Sequence, residues 1–361
     1  MLAATRRVLS HPSPTPSSSS APTSAPLYRS LITRLLPAAQ NDPPQAAREL
    51  RWMVETLLSR RHNPAHRFLR PHNNNTASSP TSSSSLASAA ATAAALPTLT
   101  PTELARLSSW ISRRVETHTP LQYLLATQPF CNLDLRVRQP TLIPRWETEE
   151  WTTRLASILL KTPSTSAKPR LRILDLCTGT GCIALALANA IPHAHVTAGD
   201  IHPRAVALAR INARRNGLEE RVTAQWMDVF DDGVMKHLVH QNDTATTDAG
   251  GGRFDLVVAN PPYVSPADLA TLDPSVRLWE DVGALVADDD GTEFHARIAA
   301  CAQEVLLVEK SVETDTGQPR LVMEIGEGQA ERVKAIVQEQ GFSDVVVWKD
   351  LAGVDRCVVG F

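Results

Sequence analysis

The stretch FDLVVANPPY, Phe254 to Tyr263, is an apolar run that ends in an asparagine, two prolines and an aromatic ring. Its first six residues have the length and β-branched content of a buried strand. Asn260, Pro261, Pro262 and Tyr263 therefore stand at the carboxyl end of that strand, where open α/β sheets bind their ligands. Pro261 and Pro262 supply no backbone N–H and fix two φ angles, so the carbonyls around Asn260 are held stiffly and kept out of a helix. The Asn260 side-chain oxygen and the Pro261 carbonyl can together accept from one NH₂ group, and Tyr263 offers a face to a flat group. These four residues are the candidate catalytic and substrate-binding group, suited to a planar substrate with a conjugated amino or amide nitrogen. An Asn-Pro dipeptide alone marks only a turn; its place behind a core strand gives this one functional weight.

Upstream, residues 171–176 form a second buried strand that carries Asp175 and leads into Cys177, Thr178, Gly179, Thr180 and Gly181, then into a helix over 182–191. Strand, glycine turn and helix make a nucleotide-type crossover, with glycines that admit a ligand to the backbone and a helix start with unpaired N–H groups. A strand over 194–198 ends at Gly199 and Asp200, about 20 residues beyond the glycines, where an acid accepts from ribose hydroxyls. A helix over 203–216 and a strand over 222–226 follow, the latter ending near Asp228. The turn lacks both the G-x-G-x-x-G of dinucleotide sites and the GK[ST] of a P-loop, so a pyrophosphate is poorly served. A nucleoside with an amino-acid tail fits better: Asp175 faces an ammonium, Asp200 the ribose and Asp228 the adenine edge. That describes S-adenosyl-L-methionine, with Asp175, Cys177, Thr178, Gly179, Thr180, Gly181, Asp200, Asp228 and Asn260 as its candidate contacts.

Residues 241–252 read as a polar, glycine-rich loop. Beyond Tyr263, the triple acid Asp288, Asp289 and Asp290 lacks calcium-loop spacing and reads as a turn leading to a helix over 292–308. A strand over 320–325, a helix over 328–340 and an antiparallel pair, 345–348 with 356–361, complete a seven-stranded α/β domain with an inserted last strand. Residues 161–361 are assigned to it.

No acidic residue precedes Asp42, while Arg6, Arg7, Arg29 and Arg34 punctuate a segment rich in Ser, Pro, Thr and Ala. Residues 1–26 are expected to be a disordered mitochondrial transit peptide. Residues 27–118 are expected to form a small helical, substrate-binding domain, with two short helices around Pro43 and Pro44 and a third from Thr102 and Glu103. The Asn, Ser, Thr and Ala repeats of 63–97 are read as a disordered insertion within it. Residues 119–160 turn extended through Leu133, Leu135 and Val137, forming a β-hairpin and linker that carry Arg145, Glu147 and Thr148.

At 361 residues and 43% hydrophobic, the chain is long enough for two domains, and its net charge of −2 gives no overall signature of nucleic-acid binding. Its five cysteines, at 131, 177, 182, 301 and 357, have neither CxxC nor histidine-linked spacing. No disulfide framework and no metal site are expected. No apolar run approaches the roughly 18 residues of a membrane-spanning helix.

Taken together, residues 114–149, 175–181, Asp200, Asn260 to Tyr263, Glu324-Ile325-Gly326 with Gln329, and residues 350–353 with Arg356 resemble the HemK/PrmC family of protein-(glutamine-N5) methyltransferases. The resemblance covers roughly residues 100–361, and its most specific element is the block I-P-R-x-E-T at 143–148. It implies a Rossmann-like class I fold dependent on S-adenosyl-L-methionine; with the arginine-rich start it matches the family's mitochondrial branch, and a monomer acting in the mitochondrial matrix is expected. The implied acceptor is the glutamine of a Gly-Gly-Gln loop in a mitochondrial peptide chain release factor, gripped by the helical domain. Arg145, Glu147 and Thr148 would order the wall of the site, with neither nucleic acid nor membrane as partner. Four positions depart from the family's usual residues: Trp146, Cys177, Val229 and Asp281. Two other readings compete: an adenine-N6 methyltransferase of DNA or RNA, whose planar amine suits the same motif, and a non-catalytic assembly module that binds S-adenosyl-L-methionine.

Overall fold

The computed structural model describes residues 24–62, 98–161, 170–245, 252–288, 290–308 and 317–361. Nearly all of the expected transit peptide, the insertion 63–97 and residues 246–251 lie outside the described residues. A short hairpin comes first, β1 (Thr127–Phe130) against β2 (Leu133–Arg136). Seven further strands form one sheet: β3 (Leu171–Leu176), β4 (Ala194–Asp200), β5 (Val222–Trp226), β6 (Leu256–Ala259), β7 (Leu321–Glu324), β8 (Val345–Lys349) and β9 (Asp355–Gly360). Their order is β5-β4-β3-β6-β7-β9-β8, parallel from β5 to β7, with β9 inserted antiparallel between β7 and β8.

Both faces of this sheet are covered, which is why its central strands read as continuous apolar runs. Side chains alternate along a strand, so Ile173, Val258 and Val322 join one core with the helices Trp146–Leu159, Cys182–Ala190 and Pro203–Arg215. Leu174, Val257 and Leu321 join the other, with the helices Glu293–Cys301 and Ala330–Glu339. Burying each such Leu, Ile or Val contributes roughly 1.5–3 kcal/mol.

Five details differ from the sequence expectation. The helix expected to begin at Thr102 and Glu103 spans Pro101–Glu116, and its cap is Thr100, which forms a reciprocal capping box with Glu103. Leu121–Leu125, expected to be extended, is a short helix, because Leu121, Leu124 and Leu125 recur at helical spacing and pack into the helical core beside Leu50, Met53 and Trp110. The helix Asp232–Ala245 occupies part of the expected loop. The helix expected through 308 leaves α geometry after Cys301 and closes with a π turn, Ala302–Leu306. Residues 24–26, expected to belong to the disordered transit peptide, are helical: the described helix Ser24–Leu35 buries Tyr28 and Ile32 in the helical core.

Gly199 shows how tightly the loop ends are packed. A Cβ placed there would lie 2.3 Å from Met227 Sδ and 2.9 Å from its Cγ. Gly199→Ala should therefore destabilise the fold by about 1–3 kcal/mol, and Met227→Ala in the same chain should recover part of that loss; chemical denaturation of the three variants measures both.

Candidate functional site

The register of the sheet brings the polar loops together. Leu176 lies opposite Gly199 on one side and Ala259 on the other. The glycine turn, the Asp200 loop and the Asn260 loop therefore leave the sheet side by side at the carboxyl ends of adjacent strands.

Asp175 is fully buried. Its Oδ2 accepts from Thr178 Oγ1 at 2.5 Å and from the Ala184 N–H at 3.2 Å, while its Oδ1 has no hydrogen-bond partner among the described residues. Burial, opposed by those two hydrogen bonds and abetted by the charge of Asp200, pushes its carboxyl up to about 7. Cys177 adopts φ +58°, a left-handed conformation that costs a non-glycine residue roughly 1–2 kcal/mol. A glycine would adopt that conformation without the strain, so Cys177 is a strained choice at this position. Gly181, at φ +82°, would bring a Cβ within 3.1 Å of Ala209 Cβ, so its lack of a side chain lets the helix Pro203–Arg215 close in. Thr178 donates its N–H to the Gly199 carbonyl at 3.0 Å and accepts from the Gly181 N–H at 2.8 Å. The Thr180 hydroxyl is buried without a hydrogen-bond partner among the described residues. Asp200 accepts from the Gly179 and His202 N–H groups, each at 2.9 Å, which leaves further lone pairs on both oxygens. Asp228 is half-buried one loop further on and uses Oδ1 to accept from the Phe230 N–H at 2.9 Å.

The Asn260 loop is pinned on both sides of its tyrosine. The Tyr263 and Val264 N–H groups both donate to the Leu285 carbonyl, at 3.1 and 2.8 Å. The Tyr263 carbonyl accepts from Gln329 Nε2 at 2.9 Å, and Gln329 Oε1 in turn accepts from the Gly326 N–H at 2.8 Å. A Cβ at Gly291 would lie 2.2 Å from the Tyr263 carbonyl oxygen, and one at Gly326 would lie 3.1 Å from its ring. Both glycines are required by this close approach. Burial, with the nearby charge of Glu324, raises the Tyr263 phenol above its ordinary range, so it stays protonated at neutral pH.

Of the three wall residues, Thr148 reaches the motif directly: Asn260 Nδ2 donates to its hydroxyl at 3.3 Å. Arg145 instead donates to Glu280 Oε2 at 2.6 Å, tying the wall to the long loop that leaves Tyr263. Glu280 is buried, which raises its carboxyl, while Arg145 acts in the opposite sense. Glu147 makes a charged neighbour to Tyr263, Glu324 and Arg356. The departures at this wall have simple accounts. Asp281 caps the turn Val282–Ala284 by accepting from the Gly283 N–H, and its own N–H donates to the Pro140 carbonyl. Trp146 projects outward at 55% exposure, and Val229 is buried in the second core. The sequence reading named Glu324 and Gln329 only among the residues that carry the resemblance, without a role in the site, and gave none to Trp151 or Glu280. Glu324 carried the available signal, an acid at the end of a core strand like Asp175 and Asp200.

Among the described residues there is no cluster of His, Cys, Asp or Glu arranged for a metal ion. No helix among the described residues is long and apolar enough to cross a membrane.

The doubly wound sheet with its inserted antiparallel strand, and its acids at strand ends, define a Rossmann-like class I methyltransferase. The methyltransferase small domain family matches residues 154–273. The release factor glutamine methyltransferase of Geobacter sulfurreducens is 38% identical, over 73% of this chain and 80% of that protein. The probable MRF1 mitochondrial N(5)-glutamine methyltransferase mtq1 of Schizosaccharomyces pombe is 34% identical, over 66% of this chain and 74% of that one. A solved protein-(glutamine-N5) methyltransferase, release factor-specific, from Alicyclobacillus acidocaldarius aligns at 24% identity with a TM-score of 0.32, covering 60% of this chain and 92% of that one. The chain belongs to the release factor glutamine methyltransferase family.

The cofactor of such enzymes is S-adenosyl-L-methionine, and the glycine turn fits it. The orphaned Asp175 Oδ1 is the acceptor that an ammonium would fill. In the free protein Asp175 keeps its proton between its ordinary range near 4 and about 7. The native state binds more protons than the unfolded chain in that window, so this group's contribution to stability is lost as pH rises through it. An ammonium ligand needs the ionised form, so affinity runs the other way. The dissociation constant for S-adenosyl-L-methionine, measured by calorimetry, should fall by up to about tenfold per pH unit from pH 5 to 7 and then level off. Asp175→Asn should bind more weakly and without that slope.

Proposed function

We propose that this chain methylates the side-chain amide nitrogen, N5, of the glutamine in a Gly-Gly-Gln loop of a mitochondrial translation release factor. One observation carries the reading. Asn260 Nδ2 donates to the Thr148 hydroxyl at 3.3 Å, which leaves its side-chain oxygen to accept, together with the Pro261 carbonyl, from an incoming NH₂ group.

An amide nitrogen is a poor nucleophile because its lone pair is delocalised, the resonance behind a rotation barrier of about 18–20 kcal/mol in a peptide bond. When bound, S-adenosyl-L-methionine supplies an electrophilic methyl group on its sulfonium. The work left to the protein is orientation and charge. Asn260 Oδ1 and the Pro261 carbonyl hold the two N–H groups, aim the nitrogen and stabilise the positive charge that grows on it. Tyr263 packs against the amide plane and holds it against turning. Nothing in the loop serves as a dedicated base. His295, the histidine behind Glu324, is buried, held neutral by that burial and committed through Nε2 to the Glu324 carbonyl. The proton leaves after methyl transfer, to water or a backbone carbonyl. Asp175, the glycine turn, Asp200 and Asp228 hold the donor; Arg145, Glu147 and Thr148 form the wall on the acceptor side.

The partner is read from two features. The yeast relative bears a mitochondrial release factor's name, and the arginine-rich start of this chain lacks acids before Asp42. The protein acts in the matrix, as a monomer, with the helical unit gripping the release factor and no nucleic acid involved. The deciding experiment incubates the purified chain and labelled S-adenosyl-L-methionine with a release factor, its Gly-Gly-Gln Gln→Ala variant, and DNA. Label should appear on the first alone; label on DNA would favour the adenine reading, and on none the assembly module. Asn260→Ala should lower kcat by about 10²-fold or more while its affinity for S-adenosyl-L-methionine, by calorimetry, stays within about threefold.

A further inference from the structure

Behind Asn260 lies a chain of buried hydrogen bonds. Glu324, at the end of β7, is only 3% exposed, and its Oε2 accepts from both Thr148 Oγ1 at 2.6 Å and Trp151 Nε1 at 2.8 Å. Thr148 Oγ1 also faces Asn260 Nδ2 at 3.3 Å. These residues come from three separated parts of the chain: β7, the helix Trp146–Leu159 and the loop after β6.

We propose that Glu324 and Thr148 are positioning residues that set which way the Asn260 carboxamide faces, and so select an NH₂ group as the methyl acceptor. The inference rests on the amide-orienting role given to Asn260 above, and deepens it.

The argument is one of donors and acceptors. Burial raises the Glu324 carboxyl, opposed by the Thr148 and Trp151 hydrogen bonds. Because its Oε2 already receives Trp151 Nε1, a group that can only donate, any proton on the carboxyl sits on Oε1 and Oε2 accepts, while a threonine hydroxyl has one proton to give. Two donors converge on one oxygen of Glu324, and Trp151 can only donate. The Thr148 proton is thereby committed to Glu324, and Thr148 has only lone pairs left for Asn260. A carboxamide can turn either its oxygen or its NH₂ toward a neighbour, since the two ends are nearly identical in size. Against a lone pair, only the NH₂ end is favourable. The oxygen is forced to the opposite side, toward the incoming substrate, where it joins the Pro261 carbonyl. Two acceptors then face the substrate, a pairing that an NH₂ satisfies and a carbonyl oxygen does not. Left without Thr148, Asn260 would turn freely and offer a donor part of the time. Trp151 holds Glu324 in place without offering it anything that Thr148 could receive.

The test uses Thr148→Val, which keeps the side chain's shape but removes the hydroxyl, and Thr148→Ser, which keeps the hydroxyl. Thr148→Val should lower kcat on a release factor by about tenfold, the effect of one lost orienting hydrogen bond, with KM and melting temperature little changed. Thr148→Ser should recover most of that loss. In an Asn260→Ala background, Thr148→Val should have no further effect on kcat, because there is no carboxamide left to turn. A second readout does not depend on turnover. The ¹⁵N side-chain amide of Asn260, assigned by its absence in Asn260→Ala, should exchange its protons slowly in the wild type and in Thr148→Ser, and faster in Thr148→Val. Equal exchange in wild type and Thr148→Val would overturn the inference, as would undiminished kcat in Thr148→Val. Slow exchange with no methylation of any release factor would instead overturn the proposed function and leave the hydrogen-bond polarity standing.

Discussion

Leu176 of β3 faces Ala259 of β6 across a parallel ladder, and Asp175 faces Val258 one step earlier. This pairing decides where every polar group of the site can be. Both faces of β3 and β6 are sealed by helices, so the strands carry apolar side chains on each side and polar chemistry is pushed to their ends. Because the two strands run in parallel, their ends coincide. A slip of one residue would exchange the faces of β6 and drive Val257 and Val258 into the wrong cores. Asp175 is the exception that proves costly: it stays inside the ladder, fully buried, with one oxygen unpartnered and its carboxyl raised to about 7. A group so placed is stabilised when a cation arrives.

The loop after Tyr263 extends the same constraint outward. It returns to Tyr263 through Leu285, reaches the wall through Glu280 and Arg145, and meets the helical unit through Trp279, whose Nε1 donates to the Thr117 carbonyl at 2.8 Å. Arg113 lies 5.9 Å over the Trp279 ring. One loop therefore touches the acceptor motif, its wall and the helical unit. Orienting groups held this way need little reorganisation when substrate arrives, which is where fixed dipoles gain most of their catalytic effect. Thr148, Asn260 and Tyr263 are held by hydrogen bonds to elements far apart in sequence, so the site depends on the assembled fold.

Elements with strong local signals were legible in the sequence. The strands around Ile173, Val196 and Val257 read as apolar runs with punctuated ends, and the inserted antiparallel strand followed from two late runs joined by a short turn. The places of Asn260, Asp175 and Asp200 at or near strand ends were legible because each is a polar residue closing such a run. Leu121–Leu125 was not, because five residues give one turn of periodicity and a following hairpin dominates the pattern. The helix Asp232–Ala245 was hidden by its polar second half. The partners Thr148 with Glu324, 176 residues apart, and Arg145 with Glu280, 135 apart, are products of tertiary packing. No local pattern announces them. Cys177 shows the converse: its strained φ is a backbone fact that its residue type alone conceals.

An acceptor motif that needs only a planar NH₂ does not by itself distinguish glutamine from adenine. What narrows the choice is layered behind and around it. The buried acid Glu324 fixes a hydroxyl, the hydroxyl fixes a carboxamide, and the carboxamide admits a donor where a bare loop would admit either polarity. In the proposed mechanism that ladder selects nitrogen over oxygen within one amide, a discrimination between two atoms of the same group. In the same proposed mechanism, discrimination between whole substrates falls to surfaces around the motif: the wall at Arg145 and Glu147, the exposed Trp146 and the helical unit joined through Trp279. The two tasks are carried by different residues, so a change at the outer surface can alter which molecule is presented while the buried ladder still decides which atom is methylated.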